Sequence, residues 1–321
     1  MWFFTLISMA SGVSVFIFGL LIMKHMLESS FKEKLSFMMK KFTKNRFSGV
    51  LTGIAVTVGL QSSSASSVLC AALVDSGILS VQKAFWIIVG ANIGTTFTGL
   101  LTAYSFADTA PVFALLGIVF ISVAKNKKYR HMGLFFMGFG LLFVGMRLMT
   151  EASEGIKDMP ILYEMLILCK SPVAGILTGC LFTAVIQSSS VVTALLQSLG
   201  QQGIIGINQA FYIILGSNIG TCATCAIASI GLKNGAKKVS LMHIFYNFFG
   251  AVLFFVVAEI WPLPILTETY FPGNIKTQIA AVNIFFNVSC GILALLLPIK
   301  EKKDEKMYFP AYLHLFSRVL R

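Results

Sequence analysis

Long apolar stretches separated by short charged segments dominate the chain and indicate membrane-spanning helices. Each stretch is close to the ~20 residues that an α-helix needs to cross ~30 Å of hydrocarbon. Seven of them, with at most one charged residue each, are residues 2–23, 84–103, 109–124, 131–149, 207–230, 239–261 and 277–299. The pattern predicts an all-α polytopic membrane protein with about seven crossings.

Two further apolar segments, residues 48–74 and 172–199, differ because each carries a polar cluster at its centre. The cluster reads Q-S-S-S in both segments, and the second copy lies 126 residues after the first (187 − 61). A second paired motif, G-x-N-I-G-T, starts at Gly90 and again at Gly216, with the same offset. A constant offset without insertions indicates an internal duplication, which is typical of transporters built from repeats.

Composition and charge support a membrane protein and argue against a nucleic-acid-binding one. The chain is 56% hydrophobic and 12% charged, whereas soluble domains are ~25% charged. Its net charge is +12, but 20 of the 25 Lys and Arg residues fall in four segments, residues 24–46, 125–130, 233–238 and 300–321. Such clusters between apolar stretches mark the cytoplasmic side of a membrane. Residues 24–46 are expected to form an amphipathic basic segment on the anionic inner leaflet.

The charge distribution also predicts how the two Q-S-S-S segments are threaded. If both are re-entrant hairpins and the N-terminus is outside, all four basic segments and the C-terminus are cytoplasmic, and the acidic loops are outside. Straight spans would place residues 125–130 outside, and the opposite overall orientation would place residues 24–46 outside. Three crossings then separate the start of one repeat from the start of the next. Because this number is odd, the two repeats are inverted relative to each other.

The predicted organisation is therefore two inverted-topology repeats in the cell membrane, each with a re-entrant hairpin and a broken transmembrane helix. Repeat 1 covers residues 1–124 with its hairpin at 48–74. Repeat 2 covers residues 125–299 with its hairpin at 172–199 and a final helix at 277–299. A short basic tail, residues 300–321, is expected in the cytoplasm.

The hairpin tips are the candidate anion site. A tip exposes the N-terminus of its second half-helix, whose free N–H groups bind oxyanions without a cationic side chain, and serine hydroxyls add donors. The predicted anion-binding residues are Gln61, Ser62, Ser63, Ser64, Gln187, Ser188, Ser189 and Ser190. Packing of small residues between helices is the alternative explanation for each cluster taken alone, but it does not explain the joint recurrence of two motifs.

The G-x-N-I-G-T motifs are the candidate cation site. Two glycines around an asparagine weaken a helix and allow it to unwind, and the freed carbonyls, amide and hydroxyl oxygens suit a hard cation such as sodium. The predicted sodium ligands are Gln61, Ser64, Asn92, Thr95, Gln187, Ser190, Asn218 and Thr221. The C-x-x-C pair Cys222 and Cys225 has no metal-ligand context and is assigned to helix packing.

These paired motifs resemble those of the type II sodium-dependent phosphate cotransporters, over residues 2 to 299. The resemblance implies that the two hairpins jointly hold phosphate and sodium, with sodium as coupling ion and no other cofactor. His243 to Asn247 resembles the family's H-x-x-F-N pattern, whereas Asn283 replaces His in a second such segment. The resemblance also implies a PhoU-like cytoplasmic domain in many bacterial members, and this sequence is expected to have none, so that such regulation is absent or is supplied by a separate PhoU-like chain. Homo-oligomerisation is left open.

The expected function is sodium-coupled symport of inorganic phosphate by alternating access. An exporter of phosphate, or a carrier of arsenate or an organic phosphate, would use the same fold. A membrane enzyme acting on lipid phosphates would need a nucleophile with a general acid or base, and no His, Asp or Glu accompanies either cluster. The chain is therefore not expected to be an enzyme.

Overall fold

The computed structural model describes residues 2–104, 109–155 and 171–297, and within these ranges the chain is helical with no strand. The helices are α1 (Trp2–Phe42), α2 (Arg46–Leu60), α3 (Ser63–Asp75), α4 (Val81–Ala103), α5 (Ala110–Val123), α6 (Lys127–Glu154), α7 (Pro172–Ile186), α8 (Ser189–Gln201), α9 (Ile207–Ala228), α10 (Asn234–Ile260), α11 (Leu263–Tyr270) and α12 (Ile275–Leu296). The predicted tail at 300–321 and part of the predicted outer acidic loop lie outside the described residues.

Six of these helices are long and apolar enough to cross a membrane, namely α1, α4, α6, α9, α10 and α12. The prediction of an all-α polytopic membrane protein is thus confirmed. The stretch at 109–124, predicted as a seventh crossing, forms α5 with only 14 residues, about 21 Å of helix at ~1.5 Å per residue. Most of the basic segment at 24–46 continues α1 as helix up to Phe42, so it is not a separate element.

Both Q-S-S-S segments fold as helix–turn–helix units. Hairpin 1 consists of α2 and α3, and hairpin 2 consists of α7 and α8, so the observed bounds lie within two residues of the predicted ones. In hairpin 1, the Thr57 hydroxyl donates to the Ser66 hydroxyl at 2.8 Å, which brings residues on opposite sides of the turn together. None of the four half-helices exceeds 15 residues, too few to cross ~30 Å.

The G-x-N-I-G-T segments are continuous helix, which corrects the prediction that they unwind. They lie inside α4 and α9, both uninterrupted over 22 or 23 residues. Their glycines serve close packing instead: a Cβ at Gly90 would collide with the Val50 carbonyl, and one at Gly53 with the Ile87 carbonyl. The equivalent contacts in repeat 2, each 126 residues later, are Gly216 with Ile176 and Gly179 with Ile213. Each hairpin therefore sits directly on the backbone of the following helix.

The α1–α6 contact relates the two repeats to each other. Gly12 and Gly19 of α1 correspond, at the offset of 126, to Gly138 and Gly145 of α6. Gly12 lies against Gly145, and Gly19 lies against Gly138, so the two equivalent helices cross in antiparallel directions. Gly12 thus contacts the equivalent of Gly19, and Gly19 contacts the equivalent of Gly12. Such a reciprocal contact places a two-fold axis between the two helices. This reciprocal contact is what inverted repeats require.

Hairpin 1 is fixed at both of its ends by polar contacts to the second half of the chain. Arg46, the first residue of α2, donates to the Leu295 carbonyl near the end of α12 at 2.8 Å. Asp75, the last residue of α3, accepts from the backbone N–H of Lys233 at 2.6 Å, just before α10 begins. Both contacts satisfy backbone groups that helix ends leave unpaired, and they hold the base of hairpin 1 in place.

Candidate functional site

The tip of hairpin 1 is built around Gln61, whose backbone is left-handed at φ 52° and ends α2. Its side chain is buried: Nε2 donates to the Val58 carbonyl at 2.8 Å, and Oε1 accepts from the Thr98 hydroxyl at 2.8 Å. Ser62 caps α3 by accepting from the N–H of Ala65 at 3.1 Å. The amide and the cap are thus both engaged within the protein.

The tip of hairpin 2 has the same backbone but looser side chains. Gln187 ends α7 at φ 57°, and Ser188 precedes α8 in an extended conformation like that of Ser62. Gln187 is exposed, however, and Ser188 makes no capping bond. The Ser188 Oγ atom is buried and has no hydrogen-bond partner within the described structure. A buried hydroxyl without a partner is unfavourable, and a ligand at this tip would supply the missing contact.

The two tips touch. The Ser64 hydroxyl lies 3.5 Å from the Gln187 carbonyl oxygen. The N-termini of α3 and α8 therefore meet in one region, and each contributes unpaired N–H groups and a partial positive charge. No charged residue occurs at 47–74 or 172–200 in the sequence, so the local field comes from the helix ends and hydroxyls. Ser63 and Ser190 are buried and Ser189 is half-buried beside them.

Four of the eight predicted cation-binding residues lie on the helices that follow the hairpins, Asn92 and Thr95 on α4 and Asn218 and Thr221 on α9. The other four, Gln61, Ser64, Gln187 and Ser190, belong to the tips. The Thr95 and Thr221 hydroxyls donate to carbonyls one turn earlier, at 3.1 and 2.9 Å, which leaves their lone pairs available. The Asn218 amide donates to the Ile214 carbonyl at 2.9 Å. Asn92 differs, because its amide donates across the fold to the Asn247 Oδ1 atom of α10 at 2.8 Å.

Several residues that support the tips lie outside the two paired motifs. Thr98 holds Gln61, and Thr183 donates to Ser217 at 2.7 Å, which ties hairpin 2 to α9. The offset of 126 contained a usable signal, because Thr57 recurs as Thr183 and Thr98 recurs as Thr224. Two further asparagines are bonded in different ways: Asn247 accepts from Asn92 across helices, and Asn287 donates to the Asn283 Oδ1 atom at 2.9 Å within α12.

The cysteines of the C-x-x-C pair are buried and unbridged, as expected of helix packing. The Cys222 thiol lies 3.4 Å from the His243 carbonyl, and the Cys225 thiol lies 3.7 Å from the Ser67 carbonyl. No group of three or more His, Cys, Asp or Glu side chains among the described residues is arranged to hold a metal ion.

Sequence comparison assigns the chain to a known family. The profile of the Na+/Pi-cotransporter family matches residues 15–151 and 162–262, which include both hairpins and both G-x-N-I-G-T helices. The chain belongs to this family. It is a multi-pass membrane protein of a transporter family.

Similar proteins occur in bacteria and animals. The uncharacterized protein YqeW of Bacillus subtilis is 30% identical over 91% of this chain and 94% of its own length. YjbB of Escherichia coli (strain K12), provisionally named as an inorganic phosphate export protein, is 23% identical over 91% of this chain but only 53% of its own length. Sodium-dependent phosphate transport protein 2C of Mus musculus is 36% identical over 39% of this chain and 20% of its own length. No solved structure matches the chain.

Proposed function

We propose that the protein couples the transport of inorganic phosphate to sodium by alternating access. The observation that carries the proposal is the meeting of two helix N-termini from inverted repeats, with the Ser64 hydroxyl 3.5 Å from the Gln187 carbonyl and the Ser188 Oγ atom buried without a partner in the described structure. Helix N-termini with adjacent hydroxyls favour a phosphate oxyanion. The family and the transport protein 2C relatives support phosphate and sodium as the transported ions.

Phosphate would bind between the tips, through the hydroxyls and first-turn amides of both Q-S-S-S clusters. Sodium would bind alongside it, to the oxygens of Gln61, Ser64, Asn92 and Thr95 and of their repeat-2 equivalents Gln187, Ser190, Asn218 and Thr221. Because a multivalent anion cannot be desolvated alone at low cost, the cation would neutralise it in part. The repeats would then exchange sides only when the site is full or empty, which is what couples the two ions.

Export of phosphate is the second candidate function. It is favoured by the YjbB relatives, which match over most of this chain and carry a provisional name as phosphate exporters. Hydroxyl and amide donors do not fix the direction of transport, since direction follows the ion gradients. The proposed orientation, with the N-terminus outside and the basic segments facing an anionic cytoplasmic leaflet, is common to both functions.

Uptake of radiolabelled phosphate into proteoliposomes tests the proposal. With an inward sodium gradient we expect uptake that falls to background when potassium replaces sodium, and that drops at least tenfold in Ser63→Ala and Ser189→Ala. Ser122→Ala is the matched control, because this exposed serine lies outside the hairpins and its hydroxyl donates to the Ile118 carbonyl of its own helix α5. Sodium-independent uptake would refute the coupling. Unchanged uptake in both tip variants would refute the site.

A further inference from the structure

The two hairpin glutamines are held differently, although the repeats that carry them are alike. In hairpin 1, Gln61 is buried, and its Oε1 atom accepts from the Thr98 hydroxyl of α4 at 2.8 Å. At the offset of 126, the same pair in repeat 2 is Gln187 and Thr224 of α9. Gln187 is exposed and does not bond to this threonine, and the Thr224 Oγ1 atom is buried with no partner among the described residues. One pair is bonded and the other is not.

The difference lies in the side chains and not in the backbone. Gln61 and Gln187 have φ 52° and 57°, and the serines that follow them have φ −155° and −150°. The glycine contacts that seat each hairpin on its helix also repeat at the same offset. From this equivalence we expect residue 187 to lie near Thr224, as residue 61 lies near Thr98. A rotation of the Gln187 side chain is the change that would bring its amide to the Thr224 hydroxyl.

The unbonded state of Thr224 is unusual for a threonine in these helices. Thr95 and Thr102 of α4, and Thr221 of α9, each donate to the carbonyl one turn earlier. Thr224 makes no such bond in the described structure. Because a buried hydroxyl without a partner is disfavoured, we expect a partner to reach Thr224 in another state of the protein. Gln187 is the partner that the repeat supplies.

We propose that Thr98 and Thr224 are positioning residues that hold the two hairpin glutamines in alternation. Thr98 holds Gln61 in the conformation described here, and Thr224 holds Gln187 in the opposite conformation, in which Gln61 is released. The bonded glutamine is buried, as Gln61 is here, and the released one is exposed, as Gln187 is. The inference rests on the proposed function for the alternation itself, and it extends that function by naming the contact that distinguishes the two states.

Cysteine labelling in the absence of phosphate tests the proposal separately from transport. Ser63→Cys and Ser189→Cys report on the two tips, because residue 63 is buried and residue 189 is half-buried in this conformation. A membrane-impermeant maleimide is applied to each reporter in the parent, in Thr98→Val and in Thr224→Val, and labelling of the protein without a reporter is subtracted. Losing one hydrogen bond is expected to change the labelling rates two- to tenfold.

The two valine variants should act in opposite directions. Thr224→Val should raise labelling at residue 189 and lower it at residue 63, whereas Thr98→Val should do the reverse. Gln187→Leu, which removes the other partner, should reproduce Thr224→Val, and the serine variants of both threonines should label like the parent. Changes in the same direction in both valine variants, or no change in either, would overturn the proposal. Opposite changes in a protein that fails to take up phosphate would support it while refuting the substrate.

Discussion

The seating of each hairpin on its neighbouring helix predicts that adding one methyl group there disables the protein. In Gly90→Ala the new Cβ would lie well inside van der Waals contact with the Val50 carbonyl, and in Gly216→Ala with the Ile176 carbonyl. The obstacle is backbone, which cannot rotate away, so hairpin and helix must separate by on the order of 1 Å to reach a normal contact distance. Such overpacking costs about 1–3 kcal/mol, which lowers the ratio of folded to unfolded protein roughly 5- to 150-fold.

Thermal unfolding in detergent and phosphate uptake in proteoliposomes measure the two consequences. Both variants should unfold several degrees below the parent, and uptake per folded molecule should fall because the tips are displaced. Gly231→Ala is the matched control, since a Cβ at Gly231 meets nothing within 4 Å and its φ is not left-handed. Parent-like stability and uptake in both variants would refute the seating argument. Loss in only one of them would show that the two repeats are not packed equivalently.

Three further predictions concern contacts that hold the framework. Asn92→Leu should destabilise the protein by ~1–3 kcal/mol because it leaves the Asn247 amide oxygen buried without its donor. The double variant Asn92→Leu with Asn247→Leu should lose less stability than the two single variants added together, since neither partner is then left unpaired. A loss in the double variant equal to that sum, or larger, would contradict this. Asp75→Ala should cost ~0.5–2 kcal/mol by uncapping α10 at Lys233, whereas Asp75→Asn, which keeps an acceptor, should cost less; equal losses would refute the cap. Arg46→Met should lower the thermal midpoint by unpairing the last carbonyls of α12, and an unchanged midpoint would show that water replaces the guanidinium.

The duplicated sequence was sufficient to predict the hairpins and the relation between repeats. The charge distribution distinguished re-entrant hairpins from straight spans, and the observed turn at Gln61 and Ser62 falls within the Q-S-S-S cluster that was predicted to form the tip. The offset also identified Gly19 and Gly145 as equivalents, and the structure shows that they belong to the antiparallel α1–α6 contact. These features follow from local composition and from the exact repeat, both of which are visible along one chain.

What could not be predicted depends on contacts between distant segments. A glycine pair such as Gly90 and Gly94 is compatible with an unwound helix and with close helix packing, and only the position of the Val50 carbonyl distinguishes them. The bond between Thr98 and Gln61 joins residues that are 37 positions apart and lie on different helices. The hydrophobic periodicity of the sequence therefore cannot predict it. The sequence likewise gives identical residues at both tips and cannot indicate that Gln187 is exposed while its counterpart is buried.

The central claim is that the two tips form one phosphate site that requires sodium, and phosphate binding to the purified protein tests it most directly. Equilibrium dialysis with labelled phosphate, in sodium and then in potassium, gives both stoichiometry and affinity without a transport assay. We expect one phosphate per chain in sodium, at least tenfold weaker binding in potassium, and loss of that one site in either Ser62→Ala or Ser188→Ala. Two phosphates per chain, with each variant removing one and sparing the other, would show that the tips bind independently and would contradict the account.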